Sequence, residues 1–170
     1  NIVDSFLGGD REIKSGDRAE LKFKEWLDKH KIPYLYIKQD LESFSPVFNE
    51  TNYGKRPDFI ILLKHFGFIF VDIKDKKIDT RYRNYCIDET ETKKYSSLQR
   101  KFNLQVWFVI SNEDYDYKTW LWIPVSKVLE SGIKTRISTK SNEGFFPTPL
   151  EEFIQLSDND SIDRLFSQIF

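Results

Sequence analysis

The chain has one cysteine, Cys86, and two histidines, His30 and His65. This excludes a disulfide framework, a thiolate zinc site of the usual four-ligand kind and a His-rich metal centre. A lone thiol fits a reducing, intracellular compartment, so a cytoplasmic location is expected. Seven Gly and six Pro are too few for a collagen-like, linker-like or solenoid-turn composition. Methionine is absent. No apolar run approaches the ~20 residues that span a bilayer; the longest, Phe59 to Val71, is broken by Lys64 and His65. Residues 1–10 lack the basic start and apolar centre of a signal peptide, so no secretory leader is expected. Excess charge is missing too. With 26 basic and 27 acidic side chains the formal charge is −1, and the whole molecule is no polycation clinging to nucleic acid or anionic membrane. Gly-rich phosphate loops, serine nucleophile elbows and dinucleotide fingerprints do not occur. The stretch Asp158 to Asp163 starts like a calcium loop but lacks its sixth-position Gly and twelfth-position acid.

What is present is apolar and aromatic: 39% hydrophobic residues, with 15 Phe, 8 Tyr and 4 Trp in 170 residues. That suffices for one core and one domain, 1–170, with its centre at about 16–124 and a helical packing extension over 125–170. Ala19, Phe23, Trp26 and Leu27 recur at helical spacing between Gly16 and His30. Ile32 to Lys38 reads as a strand, and Gln39 to Arg56 as a long polar loop. Pro57 to Leu63 and Phe66 to Lys74 are β-rich and apolar on both faces, as central strands are. Only a few residues separate them, so a hairpin is expected. Thr90 to Phe102 returns to helical spacing through Tyr95, Leu98 and Phe102; strands are expected at Gln105 to Ser111 and Trp120 to Pro124, and helices at Ser126 to Glu130 and Ser161 to Phe170. The order predicts a mixed α/β domain.

The hairpin carries the chemistry. Asp58 opens its first strand and Asp72 nearly closes its second. Three registers are open, with paired indices summing to 129, 130 or 131; the middle one sets the two carboxylates opposite each other, Cβ atoms about 4.5–5.5 Å apart. The period of two puts Lys74 on the face of Asp72. Two such carboxylates repel and lose hydration, a penalty that a hard divalent cation removes. Mg²⁺ or Mn²⁺ would activate water toward a phosphoryl group, and Lys74 would orient or deprotonate the nucleophile or neutralise the transition state. Glu20 borders the apolar stripe of the first helix, either as a rim residue or as a third inward ligand.

These residues resemble a known family. Arg56-Pro57-Asp58, a 13-residue spacer and Asp72-Ile73-Lys74 are similar to the PD-(D/E)XK nuclease superfamily; Gly16-Asp17-Arg18-Ala19-Glu20 before Phe23, Trp26 and Leu27 resembles the first helix of many members, including those like Holliday-junction resolvases. The resemblance implies a restriction-endonuclease-like fold, with helices on both faces of a mixed sheet built on the hairpin. It implies Asp58, Asp72 and Glu20 as metal ligands and Lys74 as the catalytic lysine, acting on DNA. Asp72 stands where Glu is commoner in the family. The helix after the lysine adds a glutamine or lysine to the site in several branches; Lys93, Lys94 and Gln99 compete for that place.

Charge is polarised along the chain. From Lys74 to Lys101 nine basic side chains face five acidic ones, whereas from Glu113 onward ten acidic face six basic. Phosphate contacts are therefore expected from Lys76, Lys77, Arg81, Arg83, Lys93 and Lys94, interleaved with tyrosines, and from Lys55 and Arg56 on the long loop. RNA in place of DNA, and a homodimer, are compatible with this reading. Two alternatives keep the fold and drop the enzyme: a nucleic-acid-binding subunit with a vestigial site, and an interaction domain using Phe145, Phe146, Phe153 and Phe166.

Overall fold

The expected stripe forms helix α1, Ser15–Lys29. Ala19, Phe23, Trp26 and Leu27 are all buried. Phe23 is the hub, its ring 4.9–6.2 Å from those of Trp120, Phe59, Trp122 and Trp26. Lys31 turns left-handed, at φ 55°, and the Ile32 N–H closes back on the Leu27 carbonyl. Ile32 thus ends the helix rather than starting the strand, and β1 is only Tyr34–Tyr36. The computed structural model describes residues 15–37, 42, 45, 56–131 and 136–169; Lys55 and most of the long polar loop lie outside them.

The hairpin is β2, Phe59–Leu63, and β3, Gly67–Asp75. Their partners run from Leu63↔Gly67 to Phe59↔Val71, which is the middle of the three registers. His65 at the tip and Gly67 both have positive φ. The 127° of Gly67 is a conformation that a side chain would disfavour. β4, Asn84–Asp88, and helix α2, Glu89–Phe102, follow. The chain then enters β5, Val106–Ser111, β6, Trp120–Pro124, and helix α3, Val125–Glu130. β3 and β5 are parallel, and every other pair in the main sheet is antiparallel.

The segment after Pro124, expected to be helical, adds strands as well: β7, Arg136–Ile137, β8, Gly144–Pro149, and β9, Ile154–Leu156. β9 completes a six-stranded sheet of order β1-β2-β3-β5-β6-β9, and β4-β8-β7 form a second, three-stranded sheet. Pro147 and Pro149 disguise β8 in the sequence, since proline cannot donate to a ladder. The terminal helix shrinks to a 3₁₀ turn, Ile162–Leu165, and one turn of α4, Phe166–Ile169. His30 ties this region to α1: its ring nitrogens lie 2.8 Å from the Trp26 and Asp158 carbonyls.

The domain is α/β with both faces of the main sheet covered. Phe59, Ile61, Ile69, Val71, Ile73, Trp107 and Val109 meet α1 and the C-terminal turn. Phe108, Ile110, Leu121 and Ile123 meet α2, α3 and the small sheet. β5 is buried along its whole length. Phe146 and Phe153 belong to this second core, so they offer no exposed interaction patch. Phe102, placed in register with Tyr95 and Leu98, is 52% exposed and is the last residue of α2. No described helix is long and apolar enough to cross a membrane.

Phe23→Ala should therefore cost about 3–5 kcal/mol in urea unfolding, whereas Phe102→Ala should change it by no more than about 0.5 kcal/mol. Equal losses in the two variants would contradict this placement of the core.

Candidate active site

Asp58 stands one residue beyond the last ladder pair, where three hydrogen bonds fix it. Its N–H donates to the Val71 carbonyl at 2.9 Å, and its own carbonyl accepts from the Ile37 N–H at 2.9 Å. Its carboxylate Oδ2 accepts from the Ile73 N–H at 2.7 Å. The residue is thus clamped between β1 and β3 at the open end of the hairpin.

Asp72 is on β3 and only 2% exposed. Its Oδ2 accepts from the Tyr95 hydroxyl, which also stands 3.1 Å from the Arg56 carbonyl. Its Oδ1 lies 2.9 Å from Lys74 Nζ. That ion pair supplies the charge partner of the buried Oδ1. Lys74 Nζ gives its well-aligned hydrogen bond to Glu91 Oε1 at 2.6 Å. The ammonium therefore sits between two carboxylates, one from β3 and one from the first turn of α2.

The titration behaviour follows from this crowding. Burial, then the charges of Asp72 and Glu20, push Asp58 up to about 8. Burial also raises Asp72, with Lys74 and Tyr95 pulling the other way. Burial alone would lower Lys74, but Asp72 and Glu91 outweigh it and hold the group well above the ordinary lysine range. Lys74 is an ammonium at neutral pH and cannot serve as a proton acceptor there. Lys76, two residues on, is lowered by burial and by the charge of Lys74.

Glu20 approaches from α1. Its Oε2 accepts from the Tyr36 hydroxyl at 2.7 Å, and its charge is felt at Asp58. Asp58, Asp72, Lys74 and Glu20 are thus brought into one electrostatic unit. Even so, among the described residues no group of three or more His, Cys, Asp or Glu stands ready to hold a metal ion.

The remaining expected residues separate. Gln99 does not join the acids: its Oε1 accepts from the Val106 N–H at 2.9 Å, beside a cleft lined by Arg100 and Trp107 at the far end of α2 from Glu91. This link between strand and helix occupies the amide oxygen that a site glutamine would offer. Lys93 pairs with Glu89 on the exposed face of the helix, and Lys77 stands 3.4 Å from Asp114. Lys76 is half-buried and donates to the Cys86 carbonyl at 2.7 Å. Lys94 and Arg56 are half-buried, and Arg81 and Arg83 exposed.

Sequence reading missed Glu91, and it placed Tyr95 on the packing stripe of the helix and among the tyrosines interleaved with the expected phosphate contacts, not beside Asp72. Both lie on one face of α2 at i and i+4. Asp88 caps that helix by accepting from the Glu91 N–H at 2.7 Å. An acid three residues after an Asp cap normally reads as half of a capping box, which hides Glu91 from a search for site residues.

No protein-family model matches the chain, and no curated protein does. Among solved structures it is similar to Hjc, a Holliday junction resolvase from Archaeoglobus fulgidus, with 13% identity and a TM-score of 0.47 over 84% of this chain and 88% of that one. It is also similar to D212, a nuclease from a fusselovirus, with 14% identity and a TM-score of 0.45 over 81% and 80% of the two chains.

The raised Asp58 makes a prediction about stability. A carboxyl whose folded value lies above its unfolded one (about 4) stabilises fully below that lower value, and the contribution fades as pH rises through the folded value, here about 8. In chelator, the wild type should lose on the order of a few kcal/mol between pH 4 and 8 relative to Asp58→Asn. Parallel denaturation profiles for the two proteins would show that Asp58 is not crowded.

Proposed function

We propose that the chain is a metal-dependent nuclease that hydrolyses phosphodiester bonds of DNA. One observation carries this reading: acids from the two strands of a hairpin share their charge at its open end, with a lysine ammonium 2.9 Å from the more buried one. A structural core gains nothing from such an arrangement, since unpaired buried charge is costly.

The donor set fits a hard divalent cation. Mg²⁺ or Mn²⁺ keeps several waters and needs only one or two protein carboxylates, so Asp58 and Asp72 suffice, and Glu20 is near enough to add to the field. Asp72 Oδ1, which faces the Lys74 ammonium at 2.9 Å, is the oxygen that a cation would share with that lysine. A bound cation would lower the pKa of water and polarise the phosphoryl oxygens. The Tyr95 hydroxyl holds Asp72 Oδ2 and thereby fixes which oxygen Asp72 presents. Lys74 keeps its proton and offers positive charge where charge builds up on the phosphoryl group. Glu91 holds that ammonium in place. Asp58 keeps a proton near neutrality and must release it to act as a ligand.

The absence of a ready three-acid group is what favours the second reading, a binding subunit with a vestigial site. Nicking of supercoiled plasmid in Mg²⁺ or Mn²⁺ separates the two. The wild type should nick, chelator should stop it, and Asp72→Asn should lower the rate by at least about 10²-fold while keeping the fold by circular dichroism. Lys74→Ala should also abolish nicking, but it strands Asp72 and Glu91 and should destabilise by about 3–5 kcal/mol. Nicking at wild-type rate by Asp72→Asn would end the nuclease reading.

A further inference from the structure

Between β3 and β4 the chain runs out from the site and returns. Lys76 Nζ on the outgoing limb donates to the Cys86 carbonyl on the returning one, so the two limbs stand side by side just past Lys74. Farther out, the Asp79 N–H donates to the Asn84 carbonyl at 2.9 Å and the Arg83 N–H to the Asp79 carbonyl at 2.7 Å. Asp79 Oδ1 accepts from the N–H groups of Arg81 (2.9 Å) and Tyr82 (3.3 Å), an Asx-type turn. The Leu150 N–H donates to the Arg83 carbonyl at 3.1 Å and fastens the tip to the end of the small sheet.

The backbone of this tip is therefore held while its side chains are not. Tyr82 is 58% exposed. The Arg81 guanidinium lies 5.2 Å from the centroid of its ring, and Arg83 beside it is exposed. The core makes no use of an aromatic at this point. An exposed ring with one guanidinium over it and a second arginine next in the chain matches the chemistry of a nucleobase stacking on the ring, with phosphates neutralised nearby. Cys86 is four positions along the chain from Tyr82, with the left-handed Arg83 between them, so the separation is at most about 13 Å at strand rise, a span of a few nucleotides. Bases inside a duplex are stacked on each other and cannot use such a ring. An unpaired base can.

We propose that Arg81, Tyr82 and Arg83 form a stacking platform for an unpaired base, so that the substrate carries a single-stranded stretch beside the bond that is cut. The substrate role rests on the nuclease reading; the binding role does not. Fluorescence anisotropy in chelator, where no cleavage occurs, tests it with a labelled single-stranded 20-mer and a blunt duplex of the same sequence. The wild type should prefer the single strand. Tyr82→Ala should weaken single-strand binding by about 5- to 100-fold and leave duplex binding unchanged, and Tyr82→Phe should restore the affinity. Wild-type single-strand affinity in Tyr82→Ala, or equal losses on both polymers, would overturn the platform. If plasmid nicking in Mg²⁺ persists in that case, the nuclease reading stands and only the platform falls. A wild type that binds neither polymer would overturn both.

Discussion

A lysine ammonium shared between two carboxylates is what the candidate site depends on. Asp72 is almost completely buried, and a lone carboxylate there would shed its charge or disrupt the fold. Lys74 on the same strand and Tyr95 on α2 are its partners. Lys74 in turn is drawn from solvent by Glu91. Removing any member leaves another without its partner, so the network links β3 to α2. An amine between two carboxylates stays charged, which suits it to neutralise charge and unsuits it to take a proton from water.

The same crowding limits stability. Asp72 and Glu91 flank one ammonium, and burial, then the charges of Asp72 and Glu20, raise Asp58. Three residues restrain Asp58 where its own electrostatics disfavour it: Ile37, just past β1, and Val71 and Ile73 on β3. Strain of this kind, kept in place by surrounding hydrogen bonds, is characteristic of sites that await a counter-charge.

The parts of this fold that were legible share one property: their signal is periodic and their partner is local in sequence. α1 announced itself through Ala19, Phe23, Trp26 and Leu27, and the hairpin through two apolar runs with a short turn. Asp58, Asp72 and Lys74 became readable through the hairpin, because its register fixes their faces. β8 was obscured by Pro147 and Pro149, and β9 is three residues whose partner, β6, is about thirty positions away. Neither carries a period long enough to detect. Glu91 was hidden for a different reason. Its backbone N–H does the work of a helix cap while its side chain does something else, and a sequence motif records only the first. Gln99 shows the converse, since its residue type suits the site but a backbone N–H of β5 captures its carbonyl oxygen.

β3 brings these threads together. Along one of its faces lie Phe68, Phe70, Asp72 and Lys74, an apolar half followed by a charged half, and Lys76 continues the series past the strand's end. Along the other lie Ile69, Val71 and Ile73, all in the core against α1. Because the strand repeats every two residues, a slip of one position would push both charges into that core and bring the apolar residues out. The register that buries the α1 face is therefore the register that assembles the acids, and no separate device is needed to place them. The projecting hairpin follows from the same strand: β3 leaves the sheet just after Lys74, and the chain must turn back within a few residues to begin β4. Lys74 and the exposed Tyr82 are consequently joined by one short excursion of the chain.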